Sequence, residues 1–200
     1  RIMVTRGIKK TPSQDPRLTI SGPNVVIIAE YKKASNETKA KGITLFTSSF
    51  RRGSPDYLDP KLNCHSKLHE VQALIQAIEA GADEALMLDV NGFVSTCNAT
   101  NFFIVKDGEV WTSTGAYCMN GITRQKVIEI CAKNKIPCHQ KNFSLYDTYG
   151  ADEAFVTGTF GGLTPVTKID GKMIENQNDL SLRGNLDRLY EELIANESKP

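Results

Sequence analysis

No stretch of this 200-residue chain approaches the roughly 20 consecutive apolar residues that span a bilayer, and its first residues lack the basic, apolar and small-residue sections of a secretory signal. A membrane partner is not expected, and the cytoplasm is the simplest compartment. Blocks of like charge are missing as well. The 24 lysines and arginines and 23 aspartates and glutamates are spread through the chain to a net charge of +1, leaving no basic face for nucleic acid and no acidic tail. The five cysteines (Cys64, Cys97, Cys118, Cys131 and Cys138) form no CxxC pair and no metal-ligand spacing, and their odd number fits reduced thiols better than a disulfide scaffold. Internal repeats and low-complexity tracts are absent. So is a starting methionine: the chain opens on Arg1 and runs at once into a strand-like stretch at 2–5, so a preceding region is expected.

What is present is a mixed pattern of strands and helices. Apolar runs at 25–29 and 43–47 read as strands, and the polar lysine, serine, asparagine and glutamate stretch between them reads as a loop or short turn region. Leu68, Val71, Leu74, Ile75 and Ile78 recur at helical spacing and stop at Gly81, which predicts a helix. Strand runs follow at 85–90, 93–95, 102–105 and 110–113, broken by Asn91-Gly92 and Asp107-Gly108. Those dipeptides supply the positive φ that tight hairpin turns need, so a meander of hairpins is expected. A second helix is predicted over 123–132, then a strand near 136–139, a helical turn around 145–149 and a strand over 154–157. Residues 165–169, Asp170-Gly171 and 173–174 make one more hairpin, and Leu186, Leu189, Tyr190, Leu193 and Ile194 mark a last amphipathic helix. Length and element order predict one compact α/β or α+β domain.

Two runs stand out, Gly121-Ile122-Thr123-Arg124 and Thr157-Gly158-Thr159-Phe160. Each joins glycine to threonine beside a regular element, and together they suit the cupping of one phosphate. Gly121 lets the backbone approach an anion, and the residues after it open an apolar-periodic stretch, so the free amides of a helix N-terminus face the ligand. The second run ends a strand and adds another hydroxyl. Ordinary turn and N-cap chemistry gives the alternative reading of both.

Further motifs accompany these runs: Val4-Thr5-Arg6-Gly7, Arg51-Arg52, Gly81-Ala82-Asp83-Glu84-Ala85-Leu86, Leu88-Asp89, Asn101-Phe102-Phe103, Ala151-Asp152-Glu153 and Thr164-Pro165-Val166. With them the chain resembles, over nearly its whole length, the class IV (fold-type IV) pyridoxal-phosphate aminotransferases, which include branched-chain and D-amino-acid aminotransferases and aminodeoxychorismate lyase. The resemblance implies the mixed α/β fold of that family's large C-terminal domain, with residues 1–200 mostly that domain and the small N-terminal domain outside this chain. It implies pyridoxal 5'-phosphate as cofactor and an amino acid and a 2-oxo acid as substrates. A homodimer is implied too. Gly121, Ile122, Thr123, Gly158 and Thr159 inherit the cofactor phosphate. Arg6 and Arg1 stand where family members hold the substrate carboxylate, and Phe160 is placed with them on the substrate side; a guanidinium fork suits a carboxylate.

Two positions depart from the family pattern. Aminotransfer requires a lysine that carries the cofactor aldehyde as a Schiff base and then moves a proton. Alignment from the helix puts that lysine at Asn63, and alignment from Arg51-Arg52 puts it at Leu62. Lys61 and Lys67 flank the site and are the two candidates. Lys67 is favoured because it falls where branched-chain enzymes carry a tyrosine that reaches the cofactor. The second departure is Thr96, which stands where the family has a carboxylate against the pyridine nitrogen. A hydroxyl bonds to that nitrogen without holding a proton on it, which suits lyase or elimination chemistry as well as transamination. A non-catalytic relative that binds a phosphorylated ligand is the third reading. His65 and His69 beside Lys67, the pairs Asp83-Glu84 and Asp152-Glu153, and Cys97 and Cys118 are assigned structural or surface roles before chemical ones.

Overall fold

A computed structural model of the chain describes residues 1–32, 34–174 and 181–198. These fall into two units, Arg1–Ala34 and Ser35–Pro200. In the first, β1 (Ile2–Val4) pairs antiparallel with β2 (Val25–Ile27), Met3 opposite Val26. A single 3-10 turn at Pro16–Leu18 follows Asp15, whose carboxylate accepts from the Arg17 backbone N–H.

In the second unit the polar stretch read as a loop contains a helix, α1 (Asn36–Lys41). Capping makes it: the Ser35 hydroxyl accepts from Thr38 N–H, Glu37 sits in the first turn, Lys39 and Lys41 in the last, and Gly42 leaves it at φ +76°. The strands are β3 (Ile43–Thr47), β4 (Glu84–Leu88), β5 (Val94–Cys97), β6 (Asn101–Lys106), β7 (Glu109–Thr112), β8 (Cys138–Gln140), β9 (Glu153–Gly158), β10 (Gly162–Ile169) and β11 (Lys172–Met173). They form one sheet in the order β5-β4-β3-β10-β9-β6-β7-β8, with β11 against β10. The remaining helices are α2 (Pro55–Leu58), α3 (Leu68–Glu79), α4 (Ile122–Lys133), α5 (Leu145–Tyr149) and α6 (Leu182–Glu197).

The expected hairpins form at β4–β5, β6–β7 and β10–β11, where Asp107 and Asp170 reach φ 53° and 51° just before their glycines. They do not make one meander. β5 ends the ladder while β6 lies between β9 and β7, and residues 98–100 carry the chain from one to the other, with Cys97 N–H donating to Thr100 O at 2.9 Å. Three pairs are parallel: β3 with β4, β3 with β10, and β7 with β8. A parallel pair of consecutive strands needs a crossover, which α2 and α3 supply after β3 and α4 supplies after β7.

Period-2 alternation splits the core between the sheet's faces. On β6, Phe102 and Ile104 join Leu45, Leu86, Val156 and Ile169 on one side, while Phe103 and Val105 join Phe155, Val127, Ile130 and Leu186 on the other. Helix α3 reverses the simplest reading of its pattern. Its buried face is Ala73 and Ala77, set against Ala85 and Met87, while Leu68, Val71, Ile75 and Ile78 are exposed. Small side chains let the helix lie close on β4, and the larger apolar residues point away. Carboxylates finish the frame: Asp83 accepts from Thr44, Glu153 from the backbone N–H of Leu182 at the start of α6, and Asp170 from Thr47 and the Tyr149 hydroxyl.

Phe103 and Phe155 stack in register across β6 and β9 with ring centroids 5.0 Å apart and planes 8° from parallel. Phe103→Ala is expected to cost about 3–5 kcal/mol in urea unfolding; a loss under about 1 kcal/mol would contradict this core.

Candidate functional site

Helices α3 and α4 begin at one cavity of about 940 Å³. Its wall takes Arg51-Arg52-Gly53 after β3, the start of α3 from Lys67 to Glu70, residues 96–101 around the β5–β6 turn, Gly121-Ile122-Thr123 at the start of α4 and Thr157-Gly158-Thr159 at the end of β9. The two glycine and threonine runs therefore share one wall.

Gly121 is the N-cap of α4, and no side chain caps the helix there, so the first amides of α4 are left for a ligand. The Asn101 side chain holds this turn. Its Nδ2 donates to Met119 O at 2.8 Å, and its Oδ1 lies 2.5 Å from where a Cβ on residue 121 would stand, so a side chain there would displace the Asn101 amide. Thr123 is buried with its hydroxyl 3.4 Å from that of Tyr190. Thr157 is 2% exposed, lines the cavity, and its Oγ1 has no hydrogen-bond partner. A buried hydroxyl without a partner in a residue of the cavity wall calls for one.

Thr96 also lines the cavity, but not as a free donor. Its hydroxyl donates to Thr100 O at 2.7 Å and receives Asn101 Nδ2 at 3.5 Å, so what it offers a ligand is an acceptor lone pair. Behind the turn, the Thr100 hydroxyl donates to Glu84 Oε2 at 2.7 Å, and burial holds the Glu84 carboxyl above its usual range. Burial, then the Glu84 charge, pushes the Cys97 thiol well above its usual range.

Of the two lysines, Lys67 lines the cavity as the N-cap of α3, while Lys61 lies outside the wall with its Nζ 3.8 Å from Asp59 Oδ2. Next to Lys67 is a cluster whose ion pair the sequence does not announce. Arg52 Nη1 donates to Glu70 Oε1 at 2.7 Å, and Arg52 Nε to Tyr117 O at 3.2 Å. His69 lies beside the pair, its Nε2 3.3 Å from Arg52 Nη1 and its Nδ1 3.1 Å from Glu70 Oε2, an oxygen that nonetheless has no hydrogen-bond partner. Burial, with the Arg52 and Lys67 charges, holds the His69 pKa below its usual value against the pull of Glu70. Arg52 and Glu70 are 18 positions apart, beyond any helical or strand period, which is why their pairing is invisible before folding.

The remaining candidates lie elsewhere. Phe160 is exposed and outside the cavity wall. Arg1 and Arg6 belong to the first unit, where the Arg1 amino group donates to Ile28 O at 2.7 Å and Arg6 Nη1 to Gln14 O at 3.4 Å. Asp83, Glu84, Asp152 and Glu153 all accept hydrogen bonds from the frame, Asp152 from Asp107 N–H at 2.8 Å. Among the described residues no group of histidine, cysteine and carboxylate is placed to hold a metal, and no helix is long and apolar enough to cross a membrane.

Two outcomes follow from these buried charges. Arg52→Met alone strands the Glu70 carboxylate and should cost about 3–5 kcal/mol, whereas adding Glu70→Leu should recover most of it; equal losses in chemical denaturation would contradict a mutually dependent pair. Glu84 has a folded pKa above its unfolded one, so its contribution is full below the unfolded pKa and falls as pH rises. Glu84→Gln should therefore raise the melting temperature at pH 7 and lose that advantage near pH 4.

Comparison with known proteins agrees with this geometry. Residues 1–169 match the family profile described as Amino-transferase class IV. The branched-chain-amino-acid aminotransferase-like protein 2 of Arabidopsis thaliana is 37% identical over 200 residues, 100% of this chain and 36% of that protein. The branched-chain-amino-acid aminotransferase of Pseudomonas aeruginosa is 33% identical over 192 residues, 94% of this chain and 62% of its own. Among solved structures, the branched-chain amino acid aminotransferase of Escherichia coli gives a TM-score of 0.82 at 27% identity, covering 89% of this chain and 60% of that one. A second, the T.th. branched-chain amino acid aminotransferase with pyridoxamine 5'-phosphate, gives 0.76 at 31% identity, covering 82% of this chain and 55% of that one. The chain thus spans between 36% and 62% of the length of these relatives. The motifs from Val4-Thr5-Arg6-Gly7 to Thr164-Pro165-Val166, the mixed α/β sheet and the profile match agree: the chain belongs to the class IV aminotransferase family.

Proposed function

We propose that this protein takes part in pyridoxal-phosphate-dependent transfer of an amino group between an amino acid and a 2-oxo acid. The observation that carries the reading is the unpartnered, buried Thr157 hydroxyl beside the uncapped N-terminus of α4 in one cavity. Amides of a helix start, hydroxyl donors and glycines at the points of closest approach are what a phosphate monoester needs, so the residues present fit the cofactor. Gly121, Ile122, Thr123, Gly158 and Thr159 hold its phosphate, with Thr157 as a further donor. When bound, pyridoxal phosphate supplies an aldehyde and a ring that withdraws electrons from the substrate carbon.

Lys67 brings the amine to the cavity and moves the proton. Its place at the N-cap of α3 is fixed because the next turn carries His69 and Glu70, which are tied to Arg52. Thr96 presents a neutral acceptor where the family has a carboxylate, and so supports a protonated ring nitrogen more weakly than an anion does. Arg1, Arg6 and Phe160 enter the proposal as substrate-side groups from the family resemblance alone. Names of the relatives support amino-acid substrates, and the 2-oxo acid follows from amino transfer itself. A cytoplasmic homodimer, with residues 1–200 mostly the large cofactor-binding domain, completes the reading.

Borohydride fixation of the full-length protein with pyridoxal phosphate, followed by peptide mass spectrometry, tests the lysine. The expected result is one modified peptide carrying Lys67, lost in Lys67→Ala and kept in Lys61→Ala. Label on Lys61, or none, would overturn the assignment. Thr157→Val should weaken cofactor binding by about 1–3 kcal/mol, measured by fluorescence titration, because the anion loses a charge-assisted hydrogen bond.

A further inference from the structure

Arg124 occupies an unfavourable place on two counts. It is 2% exposed, yet its guanidinium bonds only to neutral acceptors, Nη2 donating to Ser113 O at 2.7 Å and to Gln140 Oε1 at 3.0 Å, while Nε has no partner. The titratable groups that bear on it are the thiols of Cys118 and Cys138, and burial lowers its pKa. Among the described residues no carboxylate pairs with it. It also stands in the first turn of α4, where the helix dipole already presents positive charge. A buried cation without a counter-ion is unfavourable, and a helix start adds to that cost.

An anion held by the Gly121-Ile122-Thr123 turn removes both penalties at once, because the same turn begins the helix that carries Arg124. We propose that Arg124 is the buried counter-charge of the phosphate site: it draws an anion to the start of α4 from behind the wall, at the expense of the ligand-free protein. Arg124 does not line the cavity, so it acts through the field rather than by contact. The proposal rests on the reading of that turn as a phosphate site.

Its consequence is an inverted pair of signs. Arg124→Met removes the charge while keeping an apolar stem; it should raise the melting temperature of the ligand-free protein and weaken binding of inorganic phosphate and of pyridoxal phosphate at least five-fold. A residue that merely braces the loop at Ser113 would do the opposite on the first count and nothing on the second. Gln140→Glu supplies the missing carboxylate at the atom already 3.0 Å from Arg124 Nη2 and keeps the hydrogen bond. It should move both quantities the same way, with phosphate binding at least three-fold weaker. His139→Glu, on the opposite face of β8, adds equal charge without touching Arg124 and should leave phosphate binding unchanged. Differential scanning fluorimetry and calorimetric titration of the full-length protein, at constant ionic strength, read all four. Wild-type protein that gains no stability from either ligand overturns the phosphate site itself. Wild-type protein that does gain stability, with Gln140→Glu binding phosphate as tightly as wild type, overturns the counter-charge alone.

Discussion

Parallel pairing of β3 with β4 and of β7 with β8 is the constraint from which the site follows. Consecutive strands that run the same way must be joined by a crossover, and each crossover helix starts on the side where its strand ends. Two helix starts are thereby delivered to one region, one ahead of α3 with Lys67 and one ahead of α4 with Gly121. The connection from β5 to β6 and the end of β9 close the wall between them. No residue of the cavity needs an unusual backbone to reach it, since topology does the gathering.

Charge is distributed unevenly over that frame. Arg52 is matched by Glu70, with His69 beside both, although Glu70 Oε2 keeps no hydrogen bond. Arg124 has neutral acceptors only. The contrast separates a cation that organises the protein from one whose compensation comes from outside it. Thr96 follows the same pattern on the acceptor side, where a hydroxyl tied to Thr100 replaces an anion.

Features legible in the sequence were those decided within a few residues. Asn91-Gly92 and Asp107-Gly108 made their hairpins, Leu145 to Tyr149 made its short helix, and the glycine and threonine runs reached the same cavity. Periodicity located α3 but not its buried side, because Ala73 and Ala77 pack more closely than the larger residues that mark the pattern. The helix α1 escaped notice since its stability lies in Ser35, Glu37 and its lysines rather than in apolar spacing. The sequence favoured Lys67 over Lys61 by resemblance alone, and only the folded path around α2 shows that Lys67 lines the cavity; the pairing of Arg52 with Glu70 spans a distance no local rule covers.

The contact between Asn101 and Gly121 makes the two positions interdependent. A side chain at 121 would collide with Asn101 Oδ1, while loss of Asn101 would free the Met119 carbonyl that shapes the turn. Each position therefore limits what the other can hold, and the shape of the turn that opens α4 belongs to the two residues jointly rather than to either one.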